Sequence, residues 1–575
     1  MTQTPQIPNF PSTEEITHLS VEQLSDLCST LRSFIIDSLL IQGGHFAANL
    51  GVIELTVALL NQFDTRINPV VWDVGHQCYP YKILTDRKNQ FSQIRTFNGI
   101  SGFPKITESP YDHFGTGHSS TSISAAMGMA TASQIQGKNL SHIAIIGDGA
   151  LTGGMAFEAL NNIINSQLNI IIILNDNNIG IDPNTGAINQ HLINNHQIKS
   201  FFEWYGLEYH GPVDGHSLPD LIESFNNLKG KSTPRILHIK TTKGKGYEPA
   251  EKEQTRWHSA PKYDKFQPET IFPEKPKKWS DAFGQILLNT MQKHDQIIGI
   301  SPAMVSSCGM NLCLNEFPDR IFDVGISEQH ALTFAAGAAK QGLLPIVNIY
   351  STFLQRAYDQ LIHDIALQNL PVLICIDRAG LVGEDGPTHH GVFDLSFLLP
   401  IPNLTLFCPN SENELQEAIN WYLINQKPCA IRYPRGNVPQ VNNYYSSNSN
   451  NHSNNKQPSS VALFSCGNAS NWITDSVKSI TGIDHFHFNQ IKPLNIDPSY
   501  LNYKTIITVE DASVIGGFGQ WAQHMCETQY PIETSKTHWI HRGIPDQFVP
   551  HGSPQELLKW LQLDSESIIN IISML

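Results

Sequence analysis

Apolar runs and amphipathic stretches alternate along most of this chain, and that alternation predicts strands and helices in turn. The runs at Val70–Asp73, Ile143–Ile146, Ile170–Leu174 and Arg235–Lys240 read as buried strands, and similar runs end near Ile300, Val324, Tyr350, Ile376 and Tyr433. Leu24, Leu27, Leu31, Ile35 and Leu39 stand at helical spacing and predict a packing helix. A second helix is expected from near Leu50 and a third from around Glu328, followed by TFLQRAYDQLIHDIAL. The pattern resumes after residue 460 with VALFS and TIITV. Strand and helix in alternation imply an α/β fold with mostly parallel sheets flanked by helices. At 575 residues the chain exceeds what one core supports, so about three such domains are expected. The divisions fall at 1–266, a Pro- and Lys-rich linker 267–278, 279–440, an Asn/Ser linker 441–459 and 460–575.

The organising stretch is GDGALTGGMAFEALNNIINSQLNIIIILNDNN, residues 147–178. It opens after one apolar run, crosses a helical segment and ends on another, which makes one βαβ unit. Parallel strands deliver their carboxyl ends to the same sheet edge, so Asp148 and Asn177 are expected to meet there. A carboxylate and an amide oxygen beside glycine-freed backbone amides suit Mg²⁺ carrying a diphosphate. The spacing resembles the signature of thiamine diphosphate enzymes. A Gly-Asp-Gly turn alone is more often only a turn.

Three further loops precede helices in the same region: GGHF with His45, DVGHQ with His76, and FGTGHSS with Gly117, His118 and Ser119. Taken singly each histidine is more often structural; together, at helix entrances, they suggest an anion or substrate site. In TTKGKGYEPAEK a glycine turn aims Tyr247, while the lysines read as a solvated face. His258 closes this region. Farther on, Glu328 starts a buried helix, where desolvation would favour its protonated form. A loop gathers Asp385, His389 and His390, and arginines 356, 378 and 435 could clamp an anion. The last segment holds a glycine-rich turn, ASVIGGFGQW, without a catalytic constellation, and is expected to dock or support a dimer.

The net charge of −15 gives no general reason to bind nucleic acid or anionic lipid. Nine scattered cysteines without CxxC spacing read as reduced thiols. No apolar run is long enough to span a bilayer, and no signal peptide is evident, so a cytoplasmic protein is expected.

GGHF, DVGHQ, GHSST, GDG with NDN, GPVDGH, GYEPAEK, SEQH, YSTFLQRAYDQ, DRAG, EDGPTHHG and RYPRG, in this order, resemble the 1-deoxy-D-xylulose-5-phosphate synthase family of transketolase-like enzymes. The resemblance covers nearly all of residues 30–440. It implies thiamine diphosphate and Mg²⁺ as cofactors, a homodimer, and condensation of pyruvate with D-glyceraldehyde 3-phosphate with loss of CO₂. Asp148, Asn177 and the carbonyl of Ile179 match metal ligands. His76, Gly117, His118, Ser119, Gly149, Ala150, Asn177 and Tyr247 match cofactor-binding positions, and Glu328 matches the acid that hydrogen-bonds the aminopyrimidine ring. His45, His258 and His389 match histidines at the reacting carbons. Tyr350, Arg378 and Arg435 match the acceptor-phosphate grip, with Arg356 and Asp385 as further substrate contacts.

The chain departs from that pattern at Ala48, Asn49, Cys78 and His390, and in INNHQIKS (193–200), which is much shorter than the family's usual segment. Altered gating with surviving chemistry is the expectation. Two other readings are a transketolase acting on ketose phosphates, and a non-catalytic scaffold of the same fold.

Overall fold

A computed structural model of the chain describes residues 5–163, 167–194, 198–260, 276–439, 460–477 and 483–575. The linker expected at 441–459 and most of that at 267–278 lie outside the described residues. The chain divides into two compact units, one of Met1–Pro273 with Gly325–Ser327, the other of Glu274–Val324 with Glu328–Leu575.

The first unit is built on five parallel strands: β1 (Val70–Asp73), β2 (His142–Gly147), β3 (Ile170–Asp176), β4 (Glu208–Asp214) and β5 (Arg235–Lys240), in the order β1-β2-β3-β5-β4. The strands are apolar at successive positions because helices cover both faces. Ile143, Ile145, Ile171 and Ile173 enter one core, together with Leu31 and Leu39 of α1 (Val21–Gln42) and Leu55 and Leu59 of α2 (Ile53–Gln62). Ala144, Ile146, Ile172 and Leu174 enter the other, against Ile123 and Ala126 of α3 (Ser122–Ile135) and Leu160 of α4 (Gly154–Ile163). Each such fully buried aliphatic side chain contributes about 1.5–3 kcal/mol, which is why a four-residue strand such as β1 holds its place. Helix α1 starts on a capping box between Ser20 and Gln23 and stops at Gly43, whose positive φ of 77° releases the chain toward His45.

The second unit carries two sheets. One holds β6 (Ile297–Ser301), β7 (Ile321–Asp323), β8 (Leu344–Tyr350), β9 (Leu373–Ala379), β10 (Thr405–Phe407) and β11 (Cys429–Pro434), all parallel, in the order β10-β11-β9-β8-β6-β7. The other is a four-stranded parallel sheet of β12 (Val461–Cys466), β13 (Ile483–Phe488), β15 (Thr505–Ser513) and β16 (His538–Ile544), in the order β13-β12-β15-β16. Between them in sequence, β14 (Gln490–Lys492) leaves the second sheet and pairs antiparallel with β10, closing an otherwise open edge of the first. The protein is therefore an α/β protein with three mainly parallel, helix-flanked sheets. All nine cysteines are buried and none is in a disulfide. Among the described residues no helix is long and apolar enough to cross a membrane.

Candidate functional site

In the first unit the carboxyl edge of the sheet is where the candidate residues gather. Strands β2 and β3 are neighbours with Gly147 opposite Asn175, so Asp148 and Asn177 leave the sheet side by side. The Asp148 carboxylate, 3% exposed, accepts from the backbone N–H of Gly149 at 2.7 Å and of Asn177 at 3.0 Å, and also from that of Asn178. Burial and the nearby Asp176 push Asp148 up to about 6. The loop after β3 folds back on itself: Asn177 Oδ1 accepts from Ile179 N at 3.2 Å, Ile179 pairs with Pro183, and Asn184 N donates to Asn178 O. Asn178 Oδ1 is buried there without a hydrogen-bond partner.

Those donors fit a hard divalent cation. One carboxylate, one carboxamide and one backbone carbonyl offer oxygen only, the set that Mg²⁺ takes with phosphate and water completing its shell. No group of three or more His, Cys, Asp or Glu among the described residues could hold a metal instead. Gly149 is close-packed, since a Cβ there would lie 2.9 Å from Asn184 Oδ1.

The loop Gly117–Ser120 is tied to the same edge. Asp73, at the end of β1, accepts from Ser120 N, Ser122 N and Ser122 Oγ at 2.8, 3.1 and 2.9 Å. Ser120, held at a φ of 72°, sends its hydroxyl to the carbonyl of Ala150 at 2.7 Å. Gly117, His118 and Ser119 are thus fixed beside Gly149 and Ala150, with His118 half-buried.

Three histidines come together. The ring centroids of His45 and His76 lie 5.5 Å apart, those of His76 and His258 5.0 Å, and those of His45 and His258 6.1 Å. A two-residue strand pairing of His45 with Ser259 sets His258 beside His45. Tyr79 donates or accepts at His45 Nδ1 (3.1 Å), and Phe103 packs edge-on against the His45 ring. Tyr247 stands against Phe46 and Trp257 at 5.3 and 5.2 Å.

Lys243 corrects the reading of TTKGKGY as a solvated lysine face. It is 2% exposed, and its ammonium reaches the Gly180 carbonyl and, at 3.1 Å, His258 Nδ1. Burial pulls it down to about 8, opposed by the charges of Asp148 and Asp182. Lys245, two residues on, is exposed as expected. Position offered a partial signal: Lys243 follows β5 closely on the same edge as Asp148, although it and Lys245 are each followed by a glycine.

The second unit presents its own set. Glu328 opens helix α5 (Glu328–Lys340) at 5% exposure, and burial raises its carboxyl above the usual range, with the Arg356 charge opposing. Tyr350 ends β8 and Arg378 lies in the neighbouring β9, its guanidinium 4.2 Å over the Tyr350 ring. Arg378 also pairs with Asp377 and donates to the Ser307 carbonyl at 3.1 Å. Burial raises the Tyr350 phenol well above its ordinary value. Phe353 stacks on Tyr350 at 5.3 Å and meets the His389 ring at 5.8 Å, and Thr388 Oγ1 holds His389 Nδ1 at 2.8 Å. Arg435 caps the loop, donating to the Val382 carbonyl at 2.7 Å and reaching Glu384 at 3.3 Å and Asp385 at 4.0 Å.

A family model described as 1-deoxy-D-xylulose-5-phosphate synthase matches residues 7–200 and 193–241, and one described as transketolase, pyrimidine binding domain, matches 275–441. The 1-deoxy-D-xylulose-5-phosphate synthase of Cytophaga hutchinsonii is 43% identical, covering 98% of this chain and 97% of its own. Those of Parabacteroides distasonis (41%; 97% and 97%) and Methylobacillus flagellatus (42%; 98% and 98%) are similar. The chain belongs to the 1-deoxy-D-xylulose-5-phosphate synthase family. Among solved structures, a transketolase from Campylobacter jejuni covers 97% of this chain and 100% of its own at 19% identity and a TM-score of 0.45.

The chain is shorter than the family alignment it matches. The family match breaks and restarts over 193–200, where the sequence reading finds a shortened segment. Alignment with the Cytophaga relative runs over 620 positions although this chain has 575 residues, so the relative carries residues that this synthase-family member lacks. Three of the four departures have structural employment. Asn49, fully buried, donates to the carbonyls of His45 and His76 at 2.7 and 2.9 Å and accepts from Tyr79 N, which locks two histidine loops together. Cys78 packs its thiol toward the Gly102 carbonyl, and His390 bridges Val382 N and the Pro550 carbonyl. Nothing in the structure explains Ala48.

Proposed function

We propose that this chain catalyses the thiamine diphosphate- and Mg²⁺-dependent condensation of pyruvate with D-glyceraldehyde 3-phosphate, giving 1-deoxy-D-xylulose 5-phosphate and CO₂. The observation that carries the reading is the meeting of Asp148 and Asn177 at one sheet edge in a chain of this family. Thiamine diphosphate, when bound, would supply an acidic ring carbon able to add to a ketone and, beside it, a cationic ring nitrogen able to take up the electron pair released on decarboxylation. Asp148, Asn177 and the Ile179 carbonyl would hold the metal. Gly117, His118, Ser119, Gly149, Ala150 and His76 would bind the cofactor, and Tyr247 would line it. Glu328, whose carboxyl burial raises above its usual range, would hydrogen-bond the cofactor's ring nitrogen and exchange a proton there.

His45, His258 and His389 move protons at the substrate oxygens and stabilise charge that develops there. The grip on the acceptor phosphate falls to Tyr350, Arg378 and Arg435, with Arg356 and Asp385 as further substrate contacts. The same reading makes the protein a cytoplasmic homodimer acting on small molecules. One assay tests it: pyruvate, D-glyceraldehyde 3-phosphate, Mg²⁺ and thiamine diphosphate, with CO₂ measured and the sugar identified. Formation of 1-deoxy-D-xylulose 5-phosphate that stops on chelation of the metal is the expected result. Turnover of xylulose 5-phosphate as donor in place of pyruvate would assign a transketolase, and no turnover with any donor would favour a scaffold.

A further inference from the structure

The motif GPVDGH has no part in the site as described, yet its last residue touches the turn that carries two site residues. His216 Nε2 accepts from the backbone N–H of Thr242 at 2.8 Å, and its Nδ1 lies 3.0 Å from Glu54 Oε2. An acceptor nitrogen is unprotonated, so the ring is the neutral tautomer with its proton on Nδ1, donated to the Glu54 carboxylate. The other oxygen of Glu54 takes Arg32 Nη2 at 2.5 Å, and Arg32 Nε donates to the carbonyl of Lys245 at 3.0 Å. The chain of contacts starts on α1 and α2 and returns to the turn 241–247 at two backbone atoms, Thr242 N and Lys245 O.

That turn has little room, and its ends are held separately: Thr241 N donates to the Asp176 carbonyl at 2.9 Å and Gly246 N to Glu251 Oε1 at 2.7 Å, which leaves Thr242 N to His216. Gly246, at a φ of 85°, lies against Arg32 so closely that a Cβ would come within 2.3 Å of its Cδ. Gly244 N donates to the Ala47 carbonyl at 2.8 Å, next to the His45 segment. From its inner side the turn sends Lys243 to Gly180 and His258, and Tyr247 to Phe46 and Trp257. His216, Glu54 and Arg32 are each at least four-fifths buried, so their bonds to the turn are not exchanged for water.

We propose that His216 is a positioning residue: backed by Glu54 and Arg32, it fixes the 241–247 turn and thereby sets Lys243 and Tyr247 in register with the cofactor loop. This rests on the function proposed above. The side chain of Gln places an acceptor where His216 Nε2 stands, whereas that of Asn reaches only to the Nδ1 position. His216→Gln should therefore keep the bond to Thr242 N, and His216→Asn should lose it while still meeting Glu54.

Expected for His216→Asn is a fall in kcat of roughly 10-fold and a several-fold weaker thiamine diphosphate Kd by calorimetry in Mg²⁺, the range for partners that orient a ligand-bearing group. His216→Gln should stay within about 3-fold of the wild type on both, with Tm close to it in each variant. Amide hydrogen exchange over 241–247 should quicken in His216→Asn and not in His216→Gln. The proposal is overturned if His216→Asn matches the wild type, if His216→Gln falls as far as His216→Asn, or if the lost rate follows only a smaller folded fraction. Hydrogen exchange reads the turn without any turnover, so a wild-type protein that releases no CO₂ defeats the reaction and leaves this test standing.

Discussion

Two glycine-rich turns in this molecule are built alike and end in opposite surroundings. In the first unit the Asp148 carboxylate accepts three backbone N–H groups around a GDG turn. In the last sheet Glu510, inside β15, accepts from Phe518 N at 2.6 Å and Gly519 N at 3.0 Å, the first amides of helix α6 (Phe518–Gln529) after a GGFG turn. Beside Asp148 lie a half-buried Asn177, the unpartnered Asn178 Oδ1, a buried lysine and three histidines. Around Glu510 the packing is tight: it is fully buried, and a Cβ on Gly517 or Gly519 would strike Glu510 or Thr508 within 2.2 Å. Nearby, Arg432 pairs with Asp394 through Nε and with Asp511 through Nη1. A glycine turn that frees amides is thus a means of receiving an acceptor oxygen, and the neighbours decide whether that oxygen is a ligand's or the chain's own.

Substitutions that separate the two turns give the largest effects first. Glu328, a third carboxylate at the start of a helix, is proposed to manage a proton and not a metal. Glu328→Gln should lower kcat by about 10²–10⁴-fold with thiamine diphosphate still bound, as single-turnover CO₂ release and calorimetry would show. Asp148→Asn would remove the charged ligand proposed for the metal, and its turnover should fall by about 100-fold or more, together with the Mg²⁺ dependence of cofactor binding. Were Asp148→Asn to bind the cofactor as the wild type does, the first turn would be no more than a second Glu510. Next comes Lys243→Met, which loses a charged hydrogen bond to the Gly180 carbonyl. Such bonds are worth about 1.5–3 kcal/mol, so kcat/KM should drop by about 10- to 100-fold.

The strands and the βαβ unit were legible because both faces of the first sheet are covered, and a doubly covered strand is an unbroken apolar run in the sequence. The meeting of Asp148 with Asn177 was legible for a topological reason, since parallel neighbours share an edge. Lys243 was not, because charge pattern cannot say which lysine of a turn faces inward; the φ values of Gly244 and Gly246, 88° and 85°, turn the backbone and bury one of the two. Asn49 read as a departure from a motif, and only the tertiary approach of two loops shows it holding His45 and His76. The pairing of β14 with β10 joins residues some eighty positions apart, beyond any local pattern. Residues 195–197, in the shortened segment, lie outside the described residues.

The smallest effect is on stability and comes from the sealed turn. Burial pushes Glu510 up to about 8, against an ordinary value near 4.5, although the two backbone bonds and Arg432 pull the other way. A carboxyl whose folded pKa is raised favours the fold in its protonated form. Its contribution is whole below about 4.5 and is lost as pH rises through 8. Wild-type Tm should therefore fall between pH 5 and 8 relative to that of Glu510→Gln, which carries no titrating proton there, and the two curves should run parallel above pH 9. Because the turn is occupied by the protein itself, Glu510→Gln should keep kcat within about 3-fold of the wild type, the range expected of a change remote from the reacting groups. Loss of thiamine diphosphate binding in Glu510→Gln, or a Tm difference that does not vary with pH, would mean that the two turns do the same work.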